Sequence, residues 1–204
     1  MPQSARFRRQ ARLLFLTSLA SVLACGGGRG SSAATAGSGA PAPAPAASSR
    51  FVRVPDANTA AILLTSHNVD LAAARIAMAR GQHPDVKQLA RSMIADHTIQ
   101  STRLSRLVAA IQLSPRDDEV GRMLRDQSAT RRDTLRRRTG RPFDAAYVEN
   151  EVRYHEELLV AIDRVFLPSV RSDSLREYVT TLRPVEVAHL ALAEQVRTTL
   201  ARRR

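Results

Sequence analysis

The 204-residue chain has no tryptophan and a single cysteine, Cys25, so no disulfide can form within it even in an oxidising compartment. Its stability must come from packing. Five Phe and three Tyr are its only aromatics, which argues against a β-sandwich. No stretch is apolar and free of charge over the ~20 residues that a membrane-spanning helix needs. The best candidate, Leu13 to Ala24, is much shorter. A glycine-rich phosphate loop, a nucleophile elbow and a CxxC pair are also missing, which takes most of the weight from nucleotide-dependent, hydrolytic and thiol-redox functions.

Acidic residues are missing from the first 50 positions, where Arg6, Arg8, Arg9 and Arg12 precede the apolar run. Charged-then-apolar is the order of a secretory signal, here expected over residues 1–24. The run ends Val22-Leu23-Ala24-Cys25-Gly26, which resembles the bacterial lipobox. That resemblance implies cleavage before Cys25, lipidation of Cys25 and a membrane partner held through the anchor. Gly26 in place of Asp points to an outer-membrane lipoprotein facing the periplasm; an ordinary signal peptide would leave the protein soluble there. Residues 25–50 continue in Gly, Ser, Ala and Pro, including Pro41-Ala42-Pro43-Ala44-Pro45. Such a composition cannot bury enough apolar surface to order itself and is expected to be a disordered tether, stiff where Pro and Ala alternate.

The remainder, residues 51–204, has the length and the Leu, Ile, Val and Ala content of one domain. Six of the 31 basic residues precede it and none of the 19 acids does, so the net charge falls from +12 for the chain to +6 for the domain. Arginines gather at Arg131-Arg132, Arg136 to Arg138 and Arg202 to Arg204. With no interleaved aromatics and no nucleic-acid motif these read as solvated helix faces, which excludes nucleic acid as the expected partner and leaves an anionic envelope component.

Apolar residues recur at helical spacing along the domain. One helix is expected from Asp56 to Arg80, carrying Leu63, Leu64, His67, Leu71, Ala74 and Ala77 and stopped by Gly81. A second starts at Pro84 and runs to about Gln112 with Val86, Ala90, Met93, His97, Leu104, Val108 and Ile111 on one stripe. A polar helix from about Asp117 to Arg138 reads as a surface or crossover element, ended by Thr139 to Pro142. The next opens near Asp144 and carries Tyr147, Val148, Glu151, His155, Leu158, Leu159 and Ile162. The last runs from Ser172 or Asp173 to about Ala201, with Leu175, Val179, Leu182, His189, Leu192, Val196 and Leu200 inward. Pro184 inside it predicts a kink or break near Thr181. The architecture expected is an all-α four-helix bundle with one extra surface or crossover helix.

Each long helix bears one inward histidine, His67, His97, His155 or His189, with a carboxylate within a turn: Asp70, Asp96, Glu151 or Glu186. Adjacent Asp96 and His97 cannot share a direction, so one must face away. Imidazole and carboxylate together suit Fe, Mn, Zn or Cu, which makes Asp70, His97, Glu151, His155, Glu186 and His189 candidate metal ligands. A dinuclear site of the ferritin kind wants Glu-x-x-His on two helices, and only Glu186 with His189 supplies it; Ile94 and Val152 stand three places before the other two histidines. The same side chains could instead form a buried polar network that fixes helix register. His83 reads as a cap or surface residue, and Tyr147 and Tyr154 as packing at the core edge.

The segments Val86 to His97 with its Met93-x-x-Asp96-His97 element, Phe143-Asp144-Ala145-Ala146-Tyr147 leading to His155, and Leu182-Arg183-Pro184 leading to His189-Leu190 resemble the bacterial domain of unknown function 4142 family. The resemblance covers residues 56–200 and implies a ferritin-like, commonly exported domain without a settled activity. Asp70 stands where the family usually has Glu, and His67 at a place usually small. The leading expectation is a non-catalytic envelope module that binds a metal ion or a partner. The alternatives are a di-iron or di-manganese oxidoreductase and a structural lipoprotein that binds anionic envelope polymers.

Overall fold

A computed structural model describes residues 53–202; the expected signal, Cys25 and the tether lie outside the described residues. The helices are α1 Asp56–Arg80, α2 Pro84–Ala110, α3 Glu119–Arg136, α4 Gly140–Ala161, the short α5 Leu167–Ser169 and α6 Asp173–Arg202. A π-helical turn, Ile162–Phe166, joins α4 to α5. Among the described residues there is no strand.

Capping side chains fix where these helices begin. His83 accepts the Asp85 N–H ahead of α2, and Asp118 accepts the Gly121 N–H at 2.9 Å ahead of α3. Two buried or loop carboxylates reach further. Asp144 accepts the N–H groups of Gln82 and His83 at 3.0 and 2.9 Å, tying the α1–α2 loop to the first turn of α4. Asp56 accepts those of Arg171 and Ser172 at 2.9 and 2.8 Å, tying the start of α1 to the approach to α6.

Side-chain pairs give the direction of each helix. His67 meets His97 across α1 and α2, while Ser66 meets Tyr154 across α1 and α4. Asp96 meets His189 across α2 and α6, and Asp163 meets Arg183 at the far end of the α4–α6 pair. With second points in the three-residue α1–α2 loop, in Asp70 beside Glu151, in Tyr178 on the Gln100 carbonyl and in His155 beside Glu186, every neighbouring pair is antiparallel, and the diagonal helices α2 and α4 run the same way. One long crossover, which contains α3, returns the chain between them, as in ferritin-like folds. The crossover helix lies against α1 and α4.

Two apolar layers result. One gathers Leu63, Leu104, Leu158, Ile162, Leu175 and Leu182; the other gathers Ala77, Leu89, Met93, Phe143, Tyr147 and Val196. Burial of each large side chain stabilises by roughly 1.5–3 kcal/mol relative to exposure. Between the layers, at mid-height of all four long helices, sit the buried polar residues His67, Asp70, His97, Glu151, His155, Glu186 and His189.

Two local expectations are corrected. The fourth helix starts at Gly140 rather than near Asp144, because extended Thr139 and left-handed Gly140 (φ 61°) turn the chain directly into it. Pro142 then falls within the first turn, where its missing N–H costs nothing. Of the kink or break expected at Pro184, the break is absent, since α6 runs continuously to Arg202. Thr180, whose carbonyl Pro184 leaves without a partner, is on the solvent side, so water can pair it.

Candidate metal centre

All six candidate ligands converge. His97, His155, Glu186 and His189 each offer one atom within 4.8 Å of all the others, and Asp70, Glu151 and His155 do the same. The imidazole rings of His97, His155 and His189 lie 5.0 to 5.9 Å apart, centroid to centroid. Histidines 97 and 155 and Glu186 are completely buried, and His189, Glu151 and Asp70 are nearly so.

Each histidine has one nitrogen pinned from outside. His155 Nδ1–H donates to the Glu151 carbonyl oxygen at 2.9 Å, which leaves Nε2 facing inward. His189 Nε2–H donates to Asp96 Oδ2 at 2.9 Å, which leaves Nδ1 inward. His97 Nδ1 lies 3.0 Å from His67 Nδ1, which leaves Nε2 inward. Those three inner nitrogens, both oxygens of Glu186, Glu151 Oε2 and Asp70 Oδ2 are buried and lack a hydrogen-bond partner. His97 Nε2 and Asp70 Oδ2 approach to 2.5 Å without the alignment of a hydrogen bond. Buried polar atoms are rarely left in this state, and here they are clustered and of types that donate an electron pair once deprotonated.

The electrostatics follow the crowding. Burial pulls His97 down, but the Asp70 carboxylate beside it lifts it to about 9. Burial would raise Asp70, and His97 overrides this to hold the carboxyl below its usual range. Glu186 is lowered in the same way, burial opposing and His189, His97 and His155 prevailing. Glu151 goes well up, through burial and then the nearby negative charge of Asp70. His67, held by burial and then by the charge of His97, falls to about 4.

The pairings differ from those that sequence spacing suggests. Asp70 approaches His97 on the neighbouring helix rather than His67 on its own. His155 binds the backbone oxygen of Glu151 rather than its carboxylate. Asp96 is the member of its pair that faces away, 45% exposed, yet it reaches His189. His83 is a cap, as expected, and Tyr154 closes the edge of the core with its hydroxyl on Ser66. Sequence reasoning missed Tyr178, whose hydroxyl lies 2.8 Å from His67 Nε2. Its position three turns before His189, on the same face of α6, was the available signal.

A small cleft of about 30 Å³, lined by Ser128 and Arg131 of α3 and by Asn150, leads to Asp70 and Glu151. A much larger one, about 560 Å³, lies among His83, Arg141, Pro142 and Arg197 and includes none of the six candidate ligands. The buried donors mark the chemistry better than the larger volume does.

Fold and centre together define a class: an all-helical bundle with a buried histidine–carboxylate cluster that could hold a metal ion. The chain belongs to the family described as domain of unknown function (DUF4142), whose model matches residues 40–196. Comparison with curated proteins and with solved structures gives no match.

Proposed function

We propose that this protein is an exported, lipid-anchored, non-catalytic module that binds one divalent transition-metal ion at mid-height of its bundle. The ligands are His97 Nε2, His155 Nε2, His189 Nδ1 and Glu186, with Asp70 and Glu151 completing the set on the side of the cleft. One observation carries the reading. Each ligand histidine has its outer nitrogen committed, while its inner nitrogen is buried without a hydrogen-bond partner and faces a buried carboxylate oxygen at 2.5 to 3.8 Å. A cation satisfies all of these atoms at once, and pinned outer nitrogens are what orient metal-binding imidazoles. Three imidazoles and a carboxylate suit Zn, Cu or Fe; Mn prefers more oxygen.

A single ion is favoured over a pair. His155 belongs to both candidate groups, but its Nδ1 is taken by the Glu151 carbonyl, so its one free nitrogen can serve only one metal. The oxidoreductase alternative rests on the small cleft that reaches Asp70 and Glu151. Export and anchoring are supported by the arginine-then-apolar start and by the Ala24-Cys25 junction.

Elemental analysis of the purified chain should find about one transition-metal ion per molecule. The triple variant His97→Ala, His155→Ala, His189→Ala should contain none while keeping its helical circular dichroism. Equal metal content in the two proteins would sink the reading.

A further inference from the structure

We propose that His67 and Tyr178 are positioning residues for the centre, forming with the Gln100 carbonyl a hydrogen-bond chain that fixes which nitrogen of His97 meets the ion. The inference rests on the metal-binding reading above and adds two residues that hold no metal themselves.

Counting donors and acceptors settles the direction of the chain. The Gln100 carbonyl can only accept, and the Tyr178 hydroxyl, 3.2 Å away, gives it its single proton. The phenol oxygen is then an acceptor for His67 Nε2–H at 2.8 Å. A neutral imidazole has one N–H, so His67 Nδ1 is bare and must accept. Its partner at 3.0 Å, His97 Nδ1, therefore carries a proton and donates. That leaves His97 Nε2 as the nitrogen turned toward Asp70 and the other ligand atoms.

Both nitrogens of His67 are thereby committed, which is why it lies beside the ligands without being one. All three members, His67, Tyr178 and Gln100, are buried, so water cannot take over either role. His189 and His155 lean on oxygen acceptors, a carboxylate and a carbonyl. His97 leans on another imidazole. A neutral acceptor orients His97 without adding a further negative charge to a centre that already contains Asp70 and Glu186.

Co²⁺ titration of the full chain, read by the visible absorption of the bound ion, separates the outcomes. His67→Ala should weaken binding by about 10- to 100-fold, the usual effect of removing such an outer partner. His67→Gln, whose amide oxygen can still accept from His97, should recover most of that loss. In nitrogen-15 spectra of the metal-free wild type, His67 should show the neutral Nε2–H tautomer, and Tyr178→Phe should mix in the Nδ1–H form and weaken Co²⁺ binding. Unchanged affinity in a folded His67→Ala protein overturns the chain, as does a wild-type His67 protonated at Nδ1. If His67→Ala does not fold, Tyr178→Phe decides: an unaltered His67 tautomer with unaltered affinity overturns the proposal. Failure of the wild type to take up Co²⁺ or Zn²⁺ defeats the metal reading and the proposal with it; wild-type binding with indifferent variants defeats the hydrogen-bond chain alone.

Discussion

The histidines of the centre pull in opposite directions on the pH axis. His97 is raised from 6.5 to about 9 against burial by Asp70, so its charged form contributes stability that is complete below pH 6.5 and lost as pH rises toward 9. His67 is lowered from 6.5 to about 4 by burial and then by the charge of His97. The unfolded chain takes up that proton first, so stability falls as pH drops from 6.5 toward 4. Metal-free protein should thus be most resistant to urea near pH 6.5 and weaker on both sides. An ion on Nε2 of His97 replaces the proton there, so saturating Zn²⁺ should remove the alkaline decline. Urea unfolding between pH 4 and 9, with and without Zn²⁺, tests this, and an alkaline limb that survives saturation counts against His97 as a ligand.

Where a helix begins and ends depends on the residues at its ends, and those were readable. Gly81 and Pro84 bracket the α1–α2 turn, so the bounds Asp56–Arg80 and the start at Pro84 agree with expectation. The start of α4 was not readable, because Gly140 and Pro142 look like a stop until the left-handed turn at Gly140 is known. Likewise the residue set of the centre followed from helical spacing within each helix. The pairings did not, because Asp70 with His97, Asp96 with His189 and Tyr178 with His67 depend on register between helices, which spacing along one helix does not encode. Asp144 belongs to this scale too. Its carboxylate satisfies two loop N–H groups from a buried position, so Asp144→Ala should destabilise by about 2–3 kcal/mol, as loss of charge-assisted hydrogen bonds does. Chemical denaturation would measure it, and a loss below about 0.5 kcal/mol would mean that water replaces the carboxylate there.

At the scale of the molecule, the centre is sealed above and below by apolar layers and at its side by α3. That helix is polar and buries only Gly121, Ser128 and Leu135. Segments with few buried apolar contacts are the ones that open locally at low cost. The cleft to Asp70 and Glu151 runs past its residues Ser128 and Arg131, so an ion bound as proposed would pass where the bundle is least firmly closed. Leu135 is the fully buried apolar side chain that holds α3 down, beside half-buried Val120 and Leu124. Loosening that hold raises the opening rate seen by an arriving and a departing ion alike. Leu135→Ala should therefore speed both loading and release of Zn²⁺, as read by stopped-flow chelator exchange, with little change in Kd. The crossover helix would then set the residence time of the ion, while the four long helices set its affinity.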